Sequence, residues 1–400
     1  MKKIISLFRV FFNTLSHPSH IAVIIKHYLR HLHPVKSDQE HLTETMSWLK
    51  RSQDNASGGG CAGVYTFKEG WRPPYPETTG YIIPTFIKYG ELADSSEYLE
   101  RAKKMGDWEI DIQLSSGAIR GGVGINEYPI VFNTGQVILG WVALYKKTGI
   151  TRYKDAAEKA AKWLAENLDG DGKWSKNTFN GVPHAYNVRV AWAILEASAI
   201  CGNNDLKEAA FKNVNWVLSQ AKVNDWIEFM GFTLEEEPFT HTIAYTLRGL
   251  LECSAYADDE LKKTIIGTII KASDHIIACY DAKQGNKKPA CRFIPGAFNN
   301  EWRPDNKFSC LTGNVQLAII WMKLYKINGE KRYLDLAIRS IDQLKSTQDL
   351  STKNNGIRGG VAGSYPIWGR YVNYGYPNWA AKFLADSIML KMEIIKGSNY

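Results

Sequence analysis

The 400-residue chain predicts an all-α fold, an (α/α)6 barrel or toroid built from six helical hairpins, on three observations. A unit of about 55 to 70 residues recurs six times, the sign of a repeat architecture. Within each unit a charged amphipathic helix precedes a more apolar one. Between the two lies a long loop rich in glycine and aromatic residues.

The apolar helices open near Thr79 (ETTGYIIPTFIKYGE), Thr134 (NTGQVILGWVALYKK), Asn187 (YNVRVAWAILEASA), Thr242 (HTIAYTLRGLLECS), Thr312 (LTGNVQLAIIWMKLY) and Asn378 (YPNWAAKFLADSIML). Their amphipathic partners span 38–53, 97–113, 151–168, 204–220, 259–280 and 330–348. In these, charged residues fall between apolar ones at i, i+3 and i+4, as in YKDAAEKAAKWLAENL, the pattern of a helix buried on one side. Helices touched on both sides are apolar nearly all round, so the second set forms an inner ring and the first an outer one. Thr, Asn and Asp at the helix starts are expected as N-caps. The glycine runs at 58–63, 117–124 and 356–363 rhyme and read as tight turns at one rim. A helical solenoid is the alternative; a single elaborated end favours the closed ring.

Two segments follow. Residues 1–35 form a basic amphipathic arm, able to lie on an anionic membrane surface or to pack on the domain. Residues 36–400 form the catalytic toroid. Hydrophobic residues make up 44% and charged ones 22%, the balance of a soluble globular chain. The net charge of +8 is spread too thinly to name a partner, and the absence of Lys/Arg runs argues against nucleic acid. No apolar run is long enough for a membrane span, and no signal-peptide cleavage site follows the first residues. A cytoplasmic protein is expected, with peripheral membrane contact through the arm. The six cysteines lack CxxC or zinc spacing, so neither a metal nor another cofactor is expected. Cys201 and Cys253 read as buried thiols.

At the starts of the inner helices the free N–H groups and helix dipoles favour an anionic ligand. Polar residues cluster there: Glu77, Asn133, Gln136, His184, Tyr186, Asn187, Arg189, His241, Tyr245 and Asn378. His184 and His241 are two of three histidines beyond residue 41, and each stands beside a Tyr and ahead of an Arg, Arg189 or Arg248. The third, His275, falls on an outer helix. Loop aromatics, among them Trp71, Tyr75, Tyr128, Trp302 and Tyr371, suit flat sugar faces. Loop arginines, among them Arg120, Arg303, Arg358 and Arg370, suit carboxylates through bidentate bonding. Glu77, Glu127, Glu228, Glu301 and Asp305 are loop carboxylates from which an acid–base pair could be drawn.

With entry motifs such as NTGQVILGWVALY, residues 38–395 resemble the (α/α)-toroid carbohydrate-active enzymes: polysaccharide lyases, glucuronyl C5-epimerase helical domains and six-hairpin glycosidases. Gln53-Asp54 ahead of Gly58-Gly59 also echoes terpenoid cyclases and prenyltransferase β-subunits. The aspartate-rich and zinc-binding sets of those families are not evident.

The resemblance implies an enzyme on an acidic, uronate-containing polysaccharide or oligosaccharide, such as an exopolysaccharide, acting by C5 proton abstraction as a lyase or epimerase. That chemistry needs the carboxylate neutralised, a base near C5 and an acid at the leaving oxygen. Asn187, Arg189 and Arg248 are expected to neutralise the carboxylate, Tyr186 or Tyr245 to serve as base and acid, and His184 or His241 as partner. Asn133, Gln136, Asn378, Arg120, Arg303, Arg358, Trp71 and Trp302 are expected to bind substrate. One alternative is a glycoside hydrolase using Glu77 and a second loop carboxylate. Another is a non-catalytic glycan-binding or scaffold ring.

Overall fold

The computed structural model describes residues 17–122 and 126–397; residues 1–16 of the expected arm and 123–125 of the second glycine loop lie outside them. After α1 (Pro18–Tyr28), outer and inner helices alternate along the chain. They run α2 (Asp38–Asp54), α3 (Pro76–Leu92), α4 (Ser96–Asp111), α5 (Val131–Thr148), α6 (Thr151–Glu166), α7 (Val188–Cys201) and α8 (Asn204–Ser219). The second half continues with α9 (Thr240–Cys253), α10 (Asp259–Ala282), α11 (Leu311–Asn328), α12 (Lys331–Lys345) and α13 (Asn378–Gly397). The odd-numbered helices α3 to α13 pack side by side in sequence order, and α13 returns to α3, closing the ring. The chain is an (α/α)6 toroid.

The hairpins pair differently from the repeat read in sequence. A tight turn follows each of the first five inner helices, so α3 pairs with α4 and α5 with α6, while the first outer helix, α2, packs on the last inner one, α13. Three of these turns use a left-handed glycine at the helix C-terminus, Gly149, Gly202 and Gly329, at φ 71°, 68° and 74°. The long connections instead run from each outer helix up to the next inner start.

Both chain ends hold the closure. Asp38, at the start of α2, accepts from buried Lys345 of α12 at 2.6 Å and meets Lys391 of α13 at 2.8 Å. Thr85 of α3 bonds Asp386 of α13 at 2.8 Å. Short strands β1 (Val64–Thr66), in the first long loop, and β2 (Gly375–Pro377), just before α13, pair antiparallel. The helix α1 packs on the ring rather than standing away from it: His20 bonds the Tyr65 hydroxyl at 3.0 Å, His27 accepts from the Ile367 N–H at 2.8 Å, and Lys26 pairs with Asp349 at 2.9 Å. Its outer side leaves Ile25, Tyr28 and Leu29 exposed. No helix among the described residues is long and apolar enough to cross a membrane.

Inner helices approach one another through glycine. A Cβ on Gly80 of α3 would stand 2.5 Å from the Cα of Val137 on α5, and one on Gly313 of α11 would stand 2.7 Å from the His241 nitrogen on α9. Neither neighbour can move without shifting a helix backbone. Gly267, inside outer helix α10, has open space around it. Gly313→Ala is therefore expected to cost about 1–3 kcal/mol through overpacking. Gly267→Ala is expected to gain about 0.5–1 kcal/mol through helix propensity. Urea midpoints of the two variants check the contrast; a neutral Gly313→Ala would contradict this packing.

Candidate active site

The inner-helix starts are held at one end by their loops. The expected N-caps on inner helices do not form: the capping positions of α3, α5, α9 and α11 are Tyr75, Ile130, Phe239 and Cys310, without side-chain caps. Thr79 and Thr134 lie in the first turn and accept the N–H of Cys61 and Ile119 from the preceding loops, each at 2.9 Å. Gln53, Gln113 and Gln348, at or just after the ends of α2, α4 and α12, donate to the carbonyls of Gly59, Gly117 and Gly359 at 3.1, 2.8 and 2.6 Å. The repeat thus encodes a clasp: a glutamine from the outer helix holds the backbone of all three glycine loops, and a threonine from the inner helix also holds the first two.

The six inner-helix starts bring side chains to the axis. Tyr81 of α3 and Tyr245 of α9 stand on opposite sides of the ring, and their hydroxyls meet at 3.3 Å. Phe383 of α13 touches both rings, with centroids 5.7 and 6.0 Å away. The Arg189 guanidinium lies over Tyr245 at 4.6 Å, and its Nε and Nη2 both donate to the Gln136 oxygen, at 3.1 and 2.9 Å. These groups floor the bore at mid-height. On the loop side stand Phe132, Tyr186, His241 and Tyr371, in ring contact with Tyr245 or with one another. Tyr75, Glu77 and Trp379 complete this wall and keep part of their surface accessible.

Glu77 carries the electrostatics. Burial pushes its carboxyl up to about 7, against the hydrogen bond from the Tyr75 hydroxyl and the positive field of Arg189. The phenols of Tyr75, Tyr81, Tyr186, Tyr245 and Tyr371 are all raised, chiefly by burial, and stay protonated as donors. His241 is pushed well below its ordinary value by burial and by Arg189. Its Nδ1 accepts from the Gln316 amide at 2.7 Å, which leaves the proton on Nε2. His184 is held otherwise. Its two ring nitrogens face the carbonyls of Gly231 and Phe179 at 3.0 and 2.7 Å, so it stitches two loops together behind Tyr186, on which it stacks.

Other residues singled out in the sequence lie apart from this group. Arg248 points along α9 to Glu252 at 2.5 Å. Arg120 bonds the Ile112 carbonyl and Glu127, Arg303 pairs with Glu301, and Arg358 faces Glu44 of α2. Trp302 donates to the Asn224 carbonyl and stacks on His275, while Trp71 packs on Trp48 and Tyr65. Asn133 and Asn378 donate to the carbonyls of Arg120 and Ala62, whereas Gln136 does join the axial group, as the acceptor for Arg189. Asn187 is buried with neither end of its amide bonded. Glu228 and Asp305 turn to Lys222 and Arg370. Tyr81, Phe132 and Phe383 were not singled out, although Tyr81 stands one turn after Glu77 as Tyr245 does after His241, a spacing readable in the sequence.

A carboxyl whose folded pKa exceeds its unfolded value stabilises the fold most below the unfolded value and loses that contribution as pH rises through the folded one. From about pH 4.5 to about 7, the interval between the two values, wild type is expected to lose stability relative to Glu77→Gln. Denaturant midpoints of both proteins across that interval test it; parallel curves would place the Glu77 carboxyl in an unperturbed setting.

No family model and no curated protein matches the chain. Solved structures do. A heparin-specific unsaturated glucuronyl hydrolase aligns with TM-score 0.69 at 14% identity, over 90% of this chain and 98% of that one. A sugar epimerase from a ruminal bacterium gives 0.68 at 12%, over 88% and 97%. A polysaccharide lyase gives 0.63 at 12%, over 90% and 99%. What this chain shares with that hydrolase, epimerase and lyase is the (α/α)6 toroid, matched over nearly their whole length.

Proposed function

We propose that the protein is a carbohydrate-active enzyme that moves a proton on a uronate-containing oligosaccharide, with Glu77 as the proton-transferring group. One observation carries this reading: a carboxyl poised near neutrality, bonded to a tyrosine, in an aromatic-walled basin where six helix N-termini converge. A group whose pKa lies near the working pH is the most effective general acid or base. Trp379 and Tyr75, each partly exposed, offer faces for a sugar ring. The helix N-termini and the field of Arg189 favour an anionic substituent such as the uronate carboxylate.

The roles shift from those expected in sequence. Burial makes the tyrosines poor bases and good donors, so Tyr245 and Tyr186 would hydrogen-bond the enolate-like oxygen that develops as a C5 proton leaves. His241, neutral with its proton on Nε2, would be a second donor. Glu77 takes the proton. A glycosidase of the paired-carboxyl kind has less support, because Glu127, Glu228, Glu301 and Asp305 each turn to a cation of their own. The likeness to an unsaturated glucuronyl hydrolase keeps hydrolysis as the second reading.

Incubation with uronate oligosaccharides in deuterated water is expected to place deuterium at C5 where the proton is returned, as in an epimerase, or to give unsaturated ends without deuterium where elimination follows. New reducing ends with neither deuterium nor unsaturation would favour hydrolysis, and binding without turnover a glycan-binding ring. Glu77→Gln should lower kcat by about 10²–10⁴-fold, the usual worth of a positioned acid or base. Full activity in that variant would overturn the assignment.

A further inference from the structure

The bore has a second compartment. Below the floor of Tyr81 and Arg189, at the end where the inner helices stop, lies a cavity of about 660 Å³. That volume is typical of small-molecule sites, which run from about 300 to 1,000 Å³. Eight basic side chains line it against four acidic ones.

Some of this charge has an ordinary explanation. Lys88, Lys146 and Lys326 lie near inner-helix C-termini, where cations complement the dipole, and each pairs with Glu393 or Glu196. Deeper in, the balance differs. Arg248 and Lys323 share one carboxylate, Glu252, at 2.5 and 2.6 Å, and hold it down to about 2 despite burial. Lys382 pairs with Asp386 at 2.6 Å. Arg189, 2% exposed, has only the neutral Gln136 and aromatic rings as partners. Four cations therefore face two carboxylates, leaving two positive charges in excess. Burial and the nearby Arg189 and Arg248 lower Lys382 to about 8 against the pull of Asp386, as expected of cations crowded without enough counter-charge. Glu77, across the floor, is bonded to Tyr75 and stands near half-protonation at neutral pH, so it does not make up the difference.

An uncompensated guanidinium is costly to bury and cannot relieve the cost by losing its proton. From this we infer that the short-turn end of the bore is an anion site for a phosphate or sulfate group, held by Arg189, Arg248, Lys323 and Lys382. A dianion matches the excess charge, and the cavity leaves room for a sugar-sized body beyond the charged group. The site lies across the floor from Glu77 and shares with the basin only the floor residues Tyr81 and Arg189.

Calorimetric titration of the full chain with inorganic phosphate and with sulfate, in chloride buffer of matched ionic strength, is expected to give saturable binding of one anion per chain. Glu77→Gln should bind equally well, which separates this site from the proposed catalysis. Lys323→Gln, which leaves Glu252 paired with Arg248, should weaken binding about tenfold or more. A hexose phosphate that binds more tightly than inorganic phosphate would identify a sugar-borne group; equal affinity would identify the free anion. Absence of saturable binding by the wild-type chain, or unchanged affinity in a folded Lys323→Gln, would overturn the inference.

Discussion

The close approach of the inner helices sets the rest of the structure. Where Gly80 meets Val137 and Gly313 meets the turn at His241, backbones touch with no side chain between them. Five inner helices, α3 to α11, drawn together in this way and closed by α13 enclose a narrow bore, and a narrow bore forces side chains from opposite walls into contact. Tyr81 and Tyr245 could not share a hydrogen bond across a wider ring. Their layer, completed by Phe383 and Arg189, divides the axis into two compartments with different electrostatics.

On the loop side, the positive ends of six helices surround one carboxyl. Its raised pKa comes from burial, which outweighs both the Tyr75 hydrogen bond and the field of Arg189. The same burial raises every phenol in the basin and lowers His241, so the site holds one group able to give or take a proton near neutrality among several fixed donors. On the turn side, lysines and arginines outnumber carboxylates. Arg189 belongs to both halves: its guanidinium stacks on the basin's Tyr245 and lines the lower cavity.

The loops matter as clasps before they matter as chemistry. The glutamines at the ends of outer helices and the threonines in the first turns of inner helices bind glycine-loop backbone, and at α3 this fixes the height at which Glu77 stands. Many loop aromatics and arginines are occupied by the same task. Trp302, Arg120 and Arg358 hold neighbouring backbone or carboxylates, which accounts for their place away from the axis.

The sequence by itself determined the ring, the alternation of outer and inner helices and the convergence of the inner starts. Those follow from local periodicity and from the repeat, both of which survive in a one-dimensional string. Glu77, Tyr245, His241 and Arg189 were legible because each occupies an equivalent entry position. Tertiary structure alone decided which of them face one another and how they titrate. His184 and His241 look alike in sequence, yet one is fixed between two loop carbonyls and the other lines the basin. The pairing of α2 with α13, the turn of Arg248 toward Glu252 and the excess of charge below the floor were likewise invisible. Each depends on a neighbour brought close only by ring closure, and spacing along a chain carries no record of that distance.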